Sequence, residues 1–174
     1  MWPCDLRAFM RLIDDVKVTL SKTILDDRFP QTGGQVEFEM HGSTQTTEVF
    51  LRAQVRIALA GMVAEQIATR NRSTGGSGSR GSDLDAVTGI AKRMVASYGF
   101  GRVPRLYVDV RRIDTYRPSR DVAADIDRIL LEEWDNAKEL LTKEWKTLLT
   151  IAAKLVVEGS LSLNLQDLGP DCGH

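Results

Sequence analysis

The sequence predicts a mainly α-helical, α+β fold with a small sheet near the N-terminus and an antiparallel helix pair near the C-terminus. Three observations carry that prediction. Two short segments between residues 16 and 40 alternate polar with apolar residues, the two-residue period of a half-buried strand, and the first is rich in β-branched ones. From Thr47 onward the apolar spacing changes to three and four residues, the period of a helix. Glycines at 99 and 159 then fall where those helical patterns stop.

Taken in order, Val16-Lys17-Val18-Thr19-Leu20 reads as a strand. Gly33 and Gly34 open a second, with Val36, Phe38 and Met40 on one face and Gln35, Glu37 and Glu39 on the other. A helix is expected over residues 47–69, with its apolar stripe on Val49, Ala53, Ile57, Ala60, Ala64 and Ile67 and its caps in the polar cluster 43–47. Residues 71–82 hold four glycines and four serines and read as a mobile loop. Ser82, with Asp85 three residues on, approximates a capping box and restarts the helix. Its stripe is Leu84, Val87, Ile90, Ala91, Met94 and Val95. Residues 100–116 lack a clean period, with a short strand expected at Leu106, Tyr107 and Val108. The longest helix is expected over 119–142, facing the core through Val122, Ile126, Ile129, Leu130, Ala137, Leu140 and Leu141. A further helix over 143–157 leaves so little chain between them that the two read as an antiparallel pair. A last short turn is expected at 163–168, and 169–174 reads as a frayed tail.

Composition narrows the function classes. The 174 residues are 43% hydrophobic and 27% charged, ordinary globular values. A formal charge of −1 lacks the basic field that non-specific nucleic-acid binding requires, so no nucleic-acid partner is expected. The arginines at 111, 112, 117 and 120 are interleaved with Asp109, Asp114 and Asp121, a solvated mixed surface. Trp134 and Trp145 are expected to pack helix against helix. No apolar run approaches the ~20 residues that cross a bilayer, and residues 1–10 offer no continuous apolar signal region. The expected compartment is the cytoplasm. Cys4 and Cys172 sit near opposite ends and read as spectator thiols. The glycine-rich loop lacks the Gly-Lys-Ser/Thr ending of a phosphate loop and no strand leads into it, so no nucleotide site is expected there or elsewhere. It is read instead as a flap over a cleft.

Five segments together resemble one family. Val16–Leu20 followed by residues 33–38 resembles a pair of family strands, and residues 57–67 (IALAGMVAEQI) are similar to its "LAGRAAEE" helix. Ser73-Thr74-Gly75, Ser82-Asp83-Leu84 with Thr88, and Ala91-Lys92-Arg93-Met94-Val95 with Tyr98-Gly99-Phe100 parallel "TTGA…NDL…AT…ARxMV…YGM". Ile126 through Ala137-Lys138-Glu139-Leu140-Leu141 resembles "EID…AKxLL". The order and spacing resemble the proteolytic domain of the FtsH-type ATP-dependent zinc metalloproteases, a helical metalloprotease-like domain, over residues 16–168.

The resemblance implies zinc held by two histidines of an H-E-x-x-H helix, with its glutamate as general base and an aspartate from a later helix as third ligand. Asp83 matches that aspartate. Apart from the resemblance, Asp83 is a first-turn acid stabilised by ~0.3–1 kcal/mol against the helix dipole. The zinc helix would fall on residues 5–15, and 1–15 is accordingly read as its degenerate or truncated remnant, for it holds neither histidine nor glutamate. The chain's two histidines are His41, expected at a strand end with no metal role assigned, and the terminal His174. No catalytic residue is therefore assigned, and zinc is expected to be absent or weakly held. ATP would act only through an ATPase module that these residues do not contain. Glu65 matches a family glutamate able to orient a metal-bound histidine, and reads equally well as a paired surface acid. Gly34, Gln35, Val36, Glu37 and Phe38 match the edge strand that pairs with extended substrate in the family. The implied partners are unfolded polypeptide or homologous protease subunits, with a homo-oligomer or a non-catalytic oligomerisation module as the other reading. Family members are membrane-anchored with this domain on the cytoplasmic side.

Overall fold

A computed structural model describes residues 13–20, 34–40, 47–74, 76–102 and 107–164. Residues 1–12, His41, Leu106 and the tail 169–174, on which several sequence expectations fall, lie outside the described residues. The fold is mainly helical with a small antiparallel sheet, in two compact units: residues 46–143, and residues 1–45 with 144–174.

The unit of residues 46–143 is built on three helices. α1 (Glu48–Thr69) starts where Thr47 Oγ1 accepts the Phe50 N–H, as the polar cluster predicted. Its buried face is rotated from the expected one, with only Ala53 of the expected stripe fully buried. Leu51, Val55, Leu59 and Val63 are buried with Ala53, whereas Val49 and Ile57 are 48% and 41% exposed. The helix is apolar nearly all round between Ala53 and Ile67, so its period could not select a face. Arg56 on the buried side decides it, because its partner lies on the neighbouring helix.

α2 (Asp83–Lys92) begins at Ser82, whose Oγ accepts the Asp85 N–H. Val87 and Ala91 are buried as expected, and Leu84 is not. The helix then widens into a π turn at Arg93–Ser97, with Tyr98 N donating to Arg93 O at 2.9 Å and Phe100 N to Met94 O at 2.8 Å. Gly99 takes a positive φ of 74° just beyond it, the stop that the sequence marks. Tyr107 and Val108 are not a strand; Val108 N instead donates to Ala96 O, and a 3₁₀ turn follows at Val110–Arg112.

α3 (Arg120–Lys143) packs along α1 and α2. Ile126 and Ile129 join Leu51, Ala91, Met94 and Val95 in one core cluster, and Val55, Leu59 and Val87 form a second beside Leu130 and Trp134. Each such large side chain contributes about 1.5–3 kcal/mol on burial. Two acids are buried on the same helix. Glu133 accepts from Arg56 Nε (2.8 Å), Arg52 Nη1 (3.1 Å) and Asn136 Nδ2 (3.3 Å). Asp125 accepts from Arg102 Nε (2.6 Å) and the Arg102 backbone N–H (3.2 Å).

In the other unit, β1 (Ile13–Leu20) is the central strand of a three-stranded antiparallel sheet, between β2 (Gly34–Met40) and β3 (Ser160–Asn164). Val16 pairs with Phe38 and Val18 with Val36, so the apolar positions of the two strands coincide across the ladder. The sheet is therefore not purely N-terminal. β3 occupies residues for which a short turn was expected at 163–168, and the alternation of Ser160, Leu161, Ser162 and Leu163 explains it. α4 (Trp145–Glu158) ends at Gly159, which has φ 76° and donates its N–H to Leu155 O at 2.8 Å. α4 and α3 fall in different units, so the expected helix pair is described one helix at a time.

Candidate functional site

In the unit of residues 46–143 a cavity of about 390 Å³ lies between α1, α3 and the loop that joins α1 to α2. The sequence builds it from three directions. α1 contributes Leu59, Met62 and Glu65, one face of two successive turns. α3 contributes Leu130, Leu131 and Trp134 at the matching spacing of four. The loop adds Arg72, Ser73 and Ser77, and Leu84 enters from the first turn of α2.

The loop is folded by turns among its described residues. Ser77 N donates to Thr74 O, Leu84 N to Gly76 O (3.0 Å), and Gly81 N to Asp85 Oδ2 (2.9 Å). Gly76 is required by proximity: a Cβ there would lie 2.5 Å from Met62 Cγ. The same hypothetical Cβ would be 3.8 Å from Asp83 Oδ2; Asp83 precedes Leu84 at the start of α2 and is not among the residues that line the cavity. Arg72 sets its guanidinium over the Trp134 ring, 5.2 Å from the centroid, and so fastens the loop to α3.

Of the two carboxylates singled out from sequence, Glu65 is half-buried in the wall of this cleft, and Asp83 is exposed in the first turn of α2 without lining it. Gly34, Gln35, Val36, Glu37 and Phe38 lie instead in β2, an outer strand of the sheet in the other unit. One flank of β2 pairs with β1 and the other has no partner among the described strands. Sequence reasoning missed Arg72 and the closeness of Gly76 to Met62. The only signal available was the spacing of Leu130 and Trp134, which it read as core alone.

The donor set was tested against zinc. A catalytic zinc takes three protein ligands, usually including histidine, and keeps one position open. Among the described residues no three His, Cys, Asp or Glu side chains gather closely enough to hold a metal ion. Both histidines and both cysteines of the chain fall outside the described residues. Asp83 and Glu65 alone supply carboxylate oxygen and do not fit a catalytic zinc. No chemical step is derived through one.

These features define an α+β, mainly helical fold with an apolar cleft that carries one carboxylate, Glu65, in its wall. Residues 17–164 match the profile of peptidase family M41, and the chain belongs to that family. It is 32% identical over 130 residues to the ATP-dependent zinc metalloprotease FtsH of Syntrophus aciditrophicus (strain SB), covering 66% of this chain and 17% of that protein. It is 31% identical over 129 residues to the ATP-dependent zinc metalloprotease FtsH 1 of Thermomicrobium roseum, covering 66% of this chain and 19% of the relative. A third such protein, from Pseudothermotoga lettingae, is 31% identical over 118 residues, 59% of this chain and 18% of its own length. The chain therefore spans less than a fifth of these curated relatives. No helix among the described residues is long and apolar enough to cross a membrane.

Proposed function

We propose that these 174 residues form an FtsH-type peptidase domain that engages polypeptide but does not hydrolyse it with zinc bound by its own side chains. The observation that carries this is the donor inventory. The chain has two histidines, His41 and His174, too far apart in sequence to form the one-turn pair of an H-E-x-x-H helix. Asp83 matches the family's third ligand in sequence and Glu65 matches a glutamate that would orient a metal-bound histidine, and without the histidine pair both are left as carboxylates with no metal to serve. The flank of β2 that has no partner among the described strands is the element that would take an extended polypeptide, through backbone hydrogen bonds that need no metal. The relatives' ATP dependence has no counterpart in these residues, which contain no phosphate-loop sequence. The domain would work on the cytoplasmic side, as the family resemblance implies.

The test is elemental analysis of the purified chain together with cleavage of an unfolded protein. No stoichiometric zinc and no chelator-sensitive cleavage are expected, in the wild type or in Asp83→Ala. Turnover that a chelator abolishes, zinc restores and Asp83→Ala eliminates would sink the proposal.

A second reading, a non-catalytic module that joins homologous subunits, draws on α4. That helix has no buried residue, and Leu149, Val156 and Val157 are exposed on it. Native mass measurement separates the two, because only this reading requires a defined oligomer.

A further inference from the structure

With no zinc for Glu65 to serve, the cleft carries two charges of opposite sign. Glu65 and Arg72 line the same cavity, one from α1 and one from the loop, and neither forms an ion pair with another described residue. Arg72 lies over the Trp134 ring, a contact that meets the guanidinium charge but supplies no acceptor oxygen for its N–H donors. The remaining wall is apolar, chiefly Leu59, Met62, Leu130 and Trp134. An apolar chamber with one carboxylate and one guanidinium is complementary to a ligand that carries both charges and an apolar body.

We propose that this cavity binds a short apolar peptide with free ends, a dipeptide, its ammonium on Glu65 and its carboxylate on Arg72. The alternatives fit less well. An amphiphilic anion would bring its head to Arg72 with the like charge of Glu65 in the same small chamber, and an amphiphilic cation meets the converse problem. A neutral apolar molecule would shield both charges from water without pairing either. Size favours two residues. A cavity of about 390 Å³ lies near the lower end of the ~300–1,000 Å³ range of small-ligand sites. One amino-acid side chain would leave much of the apolar wall wet. Each residue added beyond two moves the peptide's ends apart by up to ~3.3–3.6 Å, while Glu65 and Arg72 stay within one cavity. No bond is made or broken, so the inference stands independently of any peptidase chemistry in the chain.

The experiment is calorimetric titration of the full chain with the dipeptide Leu-Leu, its N-acetyl form, its C-terminal amide and the doubly blocked form. Saturable binding of the free dipeptide is expected, weakened about tenfold by blocking either end, the loss of one charge-assisted contact. In Glu65→Gln the penalty for N-acetylation should vanish while that for amidation persists. In Arg72→Gln the pattern should reverse, and Arg72→Lys should keep the preference for the free carboxylate, which separates charge from the stacking on Trp134. Circular dichroism melts verify that each variant is folded. No saturable binding of the free dipeptide by the folded wild type would overturn the proposal. So would equal affinity for the free and doubly blocked forms, which would make the cavity a site for apolar side chains alone.

Discussion

Single residues in this chain are decided by electrostatics inside the helical unit. Glu133 is 1% exposed and Arg56 5%, so this pair is desolvated and its worth lies in being complete. Glu133→Gln removes the charge at nearly constant shape and leaves Arg56 and Arg52 facing a neutral amide. It should cost roughly 3–5 kcal/mol in urea unfolding. The double change Arg56→Met with Glu133→Leu should cost less, since it removes both charges of this buried pair together; an equal loss would mean that shape and not the charge of this pair dominates. Asp125 sets a pH dependence. Burial pushes its carboxyl up, but the Arg102 side-chain and backbone hydrogen bonds, with the Arg102 and Arg128 charges, outweigh that and hold it below the ordinary carboxylate range. A depressed folded value means the contribution is fully present above the unfolded value of about 3.9 and is lost as pH falls through the folded one. Wild type should therefore lose more stability than Asp125→Asn between about pH 4 and pH 2, measured by urea midpoints. Gly101→Ala should act on the same contact, because a Cβ there would lie 2.9 Å from Asp125 Oδ2. Its cost should be less than additive with Asp125→Asn.

Secondary-structure elements were legible where a local signal was strong and ambiguous where two faces competed. Thr47, Ser82, Gly99 and Gly159 bound their helices as read from sequence, because capping and left-handed stops depend on one or two residues. The buried phase of α1 was not legible, since Val49 and Ile57 offered as good a stripe as Leu51, Val55 and Leu59. What resolves it is Arg56 meeting Glu133 across a separation of 77 residues, which no local pattern contains. β3 was missed for a different reason: its pairing with β1 joins Thr19 to Ser160, and its last two residues, Leu163 and Asn164, fall where the sequence suggests the start of a turn. The cleft was legible only in part: Glu65 stood out through family-like spacing, whereas Arg72 over Trp134 is a tertiary contact. The element ends also carry a prediction. Gly159 holds φ 76° at the end of α4, where an L side chain costs about 1–2 kcal/mol. Gly159→Ala should lower the unfolding free energy by about that amount. An unchanged midpoint would show that the left-handed stop is not kept in solution. Arg70 already bears this cost at the end of α1, with φ 57°.

At the scale of the whole molecule, charge and exposed apolar surface act together on its behaviour in solution. Twenty-three basic and twenty-four acidic residues leave a formal charge of −1, and the isoelectric point is about 6.1. Near that pH, long-range repulsion between copies is almost nil. Short-range attraction then depends on what the surface presents. Leu149, Val156 and Val157 on α4 are exposed, the last by 86%, and Leu131 and Tyr107 are exposed in the helical unit. Contacts between such groups gain about 25 cal/mol per Å² of apolar area removed from water, and neutrality leaves little to oppose them. The chain should therefore self-associate most strongly near pH 6 and least at about pH 8.5, where net negative charge has grown. Light scattering at fixed protein concentration and low salt should show a falling mean mass over that interval. Added salt at pH 8.5 should partly restore association by screening the repulsion. Val156→Lys with Val157→Glu interrupts the apolar surface of α4 without changing the net charge, and should flatten the pH profile. A profile that stays as steep in that variant would place the attraction elsewhere on the surface, away from α4.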